Sequence, residues 1–232
     1  MVGLNAWSEV AALDTKQLAE ACSGMTLTSG LVNELLCEAQ AMLQKADRIE
    51  HSSTYTDVDA CLHGRVRAFC SGPGFGLQAF QNSIGMRLAR DVVSCDLANL
   101  LPTRASYILY EEGDYNLLHH DAAHANVTVL VGLSGDVSPL ILYPSLGPLT
   151  EVELLELSRN RHVCRGPFEE QASRTLGARI QGHELSMPVG RAIAVPGRTI
   201  PHARFRQEAC AVVAAACYAL VEPSLDWQPP RL

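Results

Sequence analysis

The sequence predicts an α+β chain in which helices support a β core, and three observations carry that reading. Up to about residue 100, apolar residues recur at helical spacing. After Pro102 they come instead as short apolar or alternating runs separated by Gly, Pro, Asp and Ser, the pattern of an all-β sandwich or barrel. A segment with its own helix-start signal, about 149–182, interrupts those runs.

In chain order, Asp14 stands three before Gln17, the spacing of a capping box, ahead of LAEA. Leu31, Leu35, Leu36, Ala39 and Leu43 follow Thr28 and Ser29 at spacings of three and four and predict a helix ending near Asp47. Ile84, Leu88, Val92, Leu97 and Leu100 predict another, over about Gln81 to Leu100, stopped by Pro102. Between them, SGPGFG at 71–76 lacks the Lys-Ser/Thr of a phosphate-binding loop and follows nothing that reads as a buried strand, so it is expected to be an ordinary turn.

The predicted strands are ASYILY (105–110), VTVLVGL (127–133), PLILYP (139–144), RAIAVP (191–196) and ACAVVAAACYALV (209–221). Thr150 and Glu153 form a capping box before VELLEL, and an Arg-rich stretch from Arg159 to Gly182 completes an insert expected outside the sandwich as a lid or loop. Its arginines read first as a solvated surface.

A chain of 232 residues with 47% apolar composition can bury one substantial core, so a single domain over 1–232 is expected: 1–102 as helical support and 103–221 as the β core. The net charge of −7, with no basic stripe, argues against nucleic acid as a partner. No segment has the length of a membrane span and the N-terminal residues lack a secretory pattern, which predicts a cytoplasmic protein without a membrane partner. The 8 cysteines show no C-x-x-C pair or regular spacing and read as small buried hydrophobes, with Cys210 and Cys217 in a core strand.

The chemistry concentrates in YEEGDYNLLHHD, residues 110–121. On an extended strand His119 and Asp121 share a face, while His120 points away. His202, just after RAIAVP and its Pro-Gly turn, is the best-placed third ligand. Two histidines and one carboxylate occupy one face of an octahedron and leave three positions open, a donor set suited to iron(II) oxygenases.

These residues resemble the 2-oxoglutarate- and iron(II)-dependent dioxygenases, and within them the prolyl-4-hydroxylase-like group. The group's Tyr, Gly and H-x-D are matched in register by Tyr110, Gly113, His119 and Asp121, and MPVGRAIAVPGRTIPHAR looks like its approach to the distal histidine. The likeness covers roughly residues 103–221, about half of the chain. It implies a double-stranded β-helix (jelly-roll) core with the N-terminal helices packed on one sheet. It also implies iron(II) held by His119, Asp121 and His202, with 2-oxoglutarate as cosubstrate and O2 as oxidant.

In that group a basic residue on the last core strand pairs with the far carboxylate of 2-oxoglutarate. Here no Lys or Arg occurs between Gln207 and Leu220, so Arg206 is the first candidate and Arg204 the second, with Tyr110 beside them. The function expected is oxidation, above all hydroxylation, of a small molecule such as an amino acid or biosynthetic intermediate. Hydroxylation of a protein or peptide residue is the alternative within the resemblance. A β-sandwich binding protein with a vestigial metal site is the alternative outside catalysis.

Overall fold

The computed structural model describes residues 22, 24–44, 68–71, 74–93, 99–158 and 164–221. The capping box at Asp14 lies outside them. Among the described residues, ten strands form two antiparallel sheets: β1 (Met25–Thr26), β2 (Ala68–Ser71), β3 (Asn99–Tyr110), β4 (Asn116–His119), β5 (Val127–Ser134), β6 (Leu140–Leu142), β7 (His183–Leu185), β8 (Arg191–Val195), β9 (His202–Arg204) and β10 (Ala211–Val221). The larger sheet runs β1-β8-β5-β10-β3-β2 and the smaller β4-β9-β6-β7. From β3 to β10 the chain passes back and forth between the sheets, which is the winding of a double-stranded β-helix.

The helices are α1 (Ser29–Leu43), α2 (Phe75–Phe80), α3 (Met86–Val93), α4 (Glu151–Ser158) and α5 (Arg165–Leu176). The Thr28 hydroxyl accepts the Leu31 N–H at 3.4 Å and starts α1, whose buried residues Val32, Leu35 and Ala39 lie at helical spacing. α2 and α3 are continuous through a π-helical turn at Gln81–Gly85. Together with α1 they cover the outer face of the large sheet, where Leu35, Leu77, Phe80 and Ala89 pack on Tyr107, Val129, Val131, Ala214 and Tyr218. Removing a leucine side chain such as Leu35 or Leu77 from water contributes about 2 kcal/mol.

The helix expected from Gln81 to Leu100 begins earlier, at Phe75, and does not extend to Leu100, which with Pro102 belongs to β3. Pro102 is tolerated there because it lies beyond the end of β2, opposite Tyr218, beside the register shift between Ala216 and Tyr218 of β10. The Gln81 side chain meets that irregularity, donating to the carbonyls of Arg104 at 3.0 Å and Cys217 at 3.2 Å.

The glycine-rich segment also differs from its expectation. A strand, β2, precedes it, and Gly74 starts α2. That helix has no cap of its own. Glu38 of α1 supplies one, accepting the Gly76 and Leu77 N–H groups at 2.8 and 3.0 Å and the Tyr107 hydroxyl at 2.7 Å.

The capping box at α4 is present: Thr150 N–H donates to Glu153 at 2.8 Å and Glu153 N–H to the Thr150 hydroxyl at 3.4 Å. The Arg-rich stretch after it contains a helix, α5, that the sequence reading left as loop. The insert forms a layer on the outer face of the small sheet, with Leu154, Phe168 and Ala172 against Leu118, Ile141, Tyr143 and Ala203. Arg165 and Arg174 form ion pairs with Glu169, Glu184 and Glu170.

The interior between the sheets is lined by Tyr110, Leu140, Leu142, Met187, Ile193, Val195 and Val213. Cys217 lies in β10, but Cys210 precedes the strand and is exposed, as are Cys37 and Cys164; only Cys22 of these is a buried hydrophobe. No helix among the described residues is long and apolar enough to cross a membrane.

Candidate metal centre

β4 ends and β9 begins at the same level of the small sheet, and that register sets His119 opposite His202. Their rings are 4.4 Å apart, centroid to centroid, and both side chains are buried. Each ring is oriented by its own backbone: His119 Nδ1 lies 2.6 Å from the Leu117 carbonyl and His202 Nδ1 3.0 Å from that of Ile200. A proton on each Nδ1 satisfies those carbonyls and leaves both Nε2 lone pairs directed at one point.

Asp121 completes the cluster from the turn after β4. Its Oδ1 lies 3.7 Å from His119 Nε2 and 3.5 Å from His202 Nε2, and one donor atom from each of the three residues falls within 4.8 Å of the others. The chain is held there by the Asp121 N–H, which donates to the Gly197 carbonyl at 2.9 Å. A Cβ at position 197 would lie 2.0 Å from Asp121 Oδ2, so a side chain there would displace the carboxylate. Burial pushes the Asp121 carboxyl up, but the charge and hydrogen bonds of His202, with those of His119, outweigh it and hold the group well below the usual carboxylate range. Burial likewise lowers His202, and Asp121 more than reverses this. An anion facing two imidazole nitrogens in a buried site is a donor set that fits a divalent transition metal.

The other candidates separate by strand parity. His120 points away from the cluster, with Nε2 3.4 Å from the Leu149 carbonyl, and His124 is exposed. In β9, His202 and Arg204 face the interior while Ala203 packs outward under the insert. Arg204 is only 1% exposed. Its guanidinium carbon lies 5.1 Å from the centre of the Tyr110 ring, it donates to the Ser138 carbonyl, and Nη2 meets Met187 Sδ at 3.3 Å. Nε has no partner, and among the described residues no carboxylate forms an ion pair with this arginine.

Arg206, ranked first from the sequence, is exposed. The reason is local: β9 stops at Arg204, and Gln207 ties the next turn down through its N–H to Asp114 at 2.7 Å and its side chain to Ser138 and Asp136. Tyr110 faces the interior and Tyr107 the opposite side, as the strand parity predicts. The Tyr110 hydroxyl accepts from Asn116 Nδ2 at 3.3 Å, and Asn116 pairs with Arg204 across the strands. Gly113, at φ 89°, makes the turn between β3 and β4, and its N–H donates to the Gln207 carbonyl at 2.7 Å.

Two neighbours of Asp121 carried no usable signal in the sequence. Arg198, exposed at the rim, donates to the Asp121 carbonyl at 3.2 Å and lies 3.6 Å from Glu151. Thr128, in β5, donates its hydroxyl to Asp121 Oδ2 at 2.6 Å.

The sequence matches no protein-family model and no curated protein. Solved structures do match. The non-heme alpha-ketoglutarate-dependent epimerase SnoN from nogalamycin biosynthesis aligns over 98% of this chain and 93% of its own, with TM-score 0.59 and 15% identity. Its complex with Fe3+, alpha-ketoglutarate and nogalamycin RO aligns with TM-score 0.56 at 14% identity, over 98% and 94% of the two chains. A Pseudomonas putida prolyl-4-hydroxylase aligns over 90% of this chain and 98% of its own, with TM-score 0.54 and 11% identity. A Trichoplax adhaerens prolyl hydroxylase, in complex with a hypoxia-inducible-factor peptide, aligns over 97% and 96%, with TM-score 0.56 and 15% identity. What is shared at these identities is the fold.

Proposed function

We propose that this protein is a mononuclear iron(II)- and 2-oxoglutarate-dependent dioxygenase that hydroxylates a small molecule, with His119, Asp121 and His202 as metal ligands and Arg204 and Tyr110 as the cosubstrate's anchor. The observation that carries the reading is Arg204, a buried cation with no carboxylate partner among the described residues, on the same inward face as His202. An arginine left so is costly unless an anion completes it. Two residues along a strand is about 6–7 Å, the reach from a metal-chelating 2-oxo acid end to a carboxylate two methylenes further on. Val212 and Val213 stand where the resemblance would place a basic residue on the last strand, and Arg204 on β9 takes over that task.

Iron(II), when bound, supplies oxygen activation coupled to decarboxylation of 2-oxoglutarate and oxidation of the substrate. The chain's own residues bind and orient. The two imidazoles present Nε2 because their Nδ1 positions are spent on backbone carbonyls. Arg204 pairs with the far carboxylate, the Tyr110 ring lies against the guanidinium, and the Tyr110 hydroxyl, held by Asn116, lies in the same interior between the sheets. Ile193, Val195, Val213 and Met187 line the interior with apolar surface and keep water from the cosubstrate.

A second reading has support of its own: the likeness to a hydroxylase solved with a peptide has the same TM-score, 0.56, as that to the SnoN complex, which is consistent with a protein or peptide residue as target. Anaerobic titration with iron(II) and 2-oxoglutarate tests the cofactor assignment. A weak visible charge-transfer band is expected; a flat spectrum, with no 2-oxoglutarate decarboxylation in air, overturns it in favour of a binding protein. Succinate release measured with pooled free amino acids and other small metabolites against pooled peptides divides the two substrate classes.

A further inference from the structure

We infer that Thr128 is a positioning residue that holds Asp121 as a one-oxygen metal ligand, so that the metal keeps its full set of open positions. This rests on the metal reading above. A carboxylate beside a divalent ion can bind through one oxygen or both, and only one-oxygen binding with two imidazoles leaves three positions free.

The structure assigns the two oxygens of Asp121 different tasks. Oδ1 faces both Nε2 atoms, at 3.5 and 3.7 Å, while Oδ2 receives the Thr128 hydroxyl at 2.6 Å. A bond of that length to an ionised acceptor is in the short, strong class. Gly197 closes in on the same oxygen, because a Cβ on it would lie 2.0 Å from Oδ2 and 2.6 Å from Cγ. Thr128 is itself rigidly placed. It is 9% exposed, and its strand pairs on both sides, with Cys217 of β10 and Val195 of β8. Its other polar neighbour is the Cys217 sulfur at 3.8 Å, a weak competitor for the hydroxyl. The carboxylate is thus clamped from the backbone side by its N–H on Gly197, from one edge by glycine, and at Oδ2 by the threonine.

The test uses Mn(II) alone as the probe, added to the wild-type chain, Thr128→Val, Thr128→Ser and, should the valine variant not fold, Thr128→Ala. Two quantities are read: the Mn(II) dissociation constant, and the water-proton relaxivity per bound ion, which reports how many positions water holds. The expected result for Thr128→Val is Mn(II) binding roughly 10-fold weaker or more, the range for loss of a hydrogen bond to a metal ligand. Its relaxivity per bound ion should fall by about a third, as the freed oxygen takes one of three water positions. Thr128→Ser should restore both. Wild-type binding with unchanged affinity and relaxivity in the valine or alanine variant overturns the proposal, even if the variant melts earlier, since threonine would then be structural only. No Mn(II) binding by the wild-type chain overturns the metal reading and this inference together.

Discussion

On the outer face of the large sheet, Val127, Val129 and Val131 of β5 and Ala214 and Tyr218 of β10 meet α1, α2 and α3 in a dry apolar layer. One residue along the same strands, Thr128 and Cys217 look inward, toward the cluster of His119, Asp121 and His202 and the same interior as Arg204. Strand parity alone divides the two populations. On the outer face most of the energy is removal of apolar surface from water, so side chains of similar size and polarity can replace one another, apart from tyrosines with a set partner such as Tyr107 on Glu38. Inside, the polar groups around the cluster act through particular atoms, as Thr128 does on Asp121 Oδ2, and an isostere that lacks the donor does not replace them.

Substitutions at six positions test that division. The largest effect is expected inside: His202→Ala or Asp121→Ala should abolish the iron–2-oxoglutarate band and weaken Mn(II) binding by more than about 100-fold, beyond the cost of losing an outer partner of a ligand. Folding of the metal-free chain, followed by circular dichroism, should survive both changes. If affinity is retained, the cluster is not a metal site.

Next comes the outer face. Leu35→Ala should cost about 2–5 kcal/mol in urea unfolding, as a fully buried leucine does. Mn(II) affinity of the folded fraction should be unchanged, and coupled loss of both would break the comparison.

Arg204→Met should raise the half-saturating 2-oxoglutarate concentration roughly 10- to 100-fold, about 1.4–2.7 kcal/mol. The same substitution should leave the metal-free melting temperature unchanged or higher, because a buried charge with no carboxylate partner among the described residues is replaced by apolar volume. Arg206→Ala, at an exposed position, should stay within about twofold. Equal effects at 204 and 206 would remove the anchor from β9.

The smallest effect belongs to Glu38. Burial raises its carboxyl, but the Tyr107 hydroxyl and the Leu77 and Gly76 N–H groups bring it below its ordinary value. A carboxylate lowered by folding stabilises the fold above its unfolded value of about 4.3 and loses that contribution as pH falls through the folded value. Glu38→Gln should therefore cost about 1–2 kcal/mol at neutral pH, the worth of a hydrogen bond to a charged group. The gap in melting temperature from the wild-type chain should close under acid conditions; a gap independent of pH would locate the stabilisation in packing.

Much of the architecture was legible where period and apolar content agree. The long strands β5, β8 and β10 are buried on both faces and so read as continuous apolar runs, and α1 is marked by Thr28 and its stripe. The short elements were not. β1, β7 and β9 have two or three residues each, too few for a periodic signal, and α5 opens with Arg-Gly-Pro, which reads as a breaker. Pro102 was taken as a helix stop because its place beyond β2 exists only once the sheet has formed.

The amino-acid order by itself determined which side chains share a strand face: His202 with Arg204, and Tyr110 apart from Tyr107. Alternation along a strand is a local property, and so is each residue's donor chemistry. Only the tertiary structure decided that residues 119 and 202 stand opposite one another, that Thr128 and Gly197 close on the Asp121 carboxylate, and that Arg204 is buried while Arg206 is not. Those facts depend on strand register and on where β9 ends, which are fixed by hydrogen bonds between segments far apart in the chain.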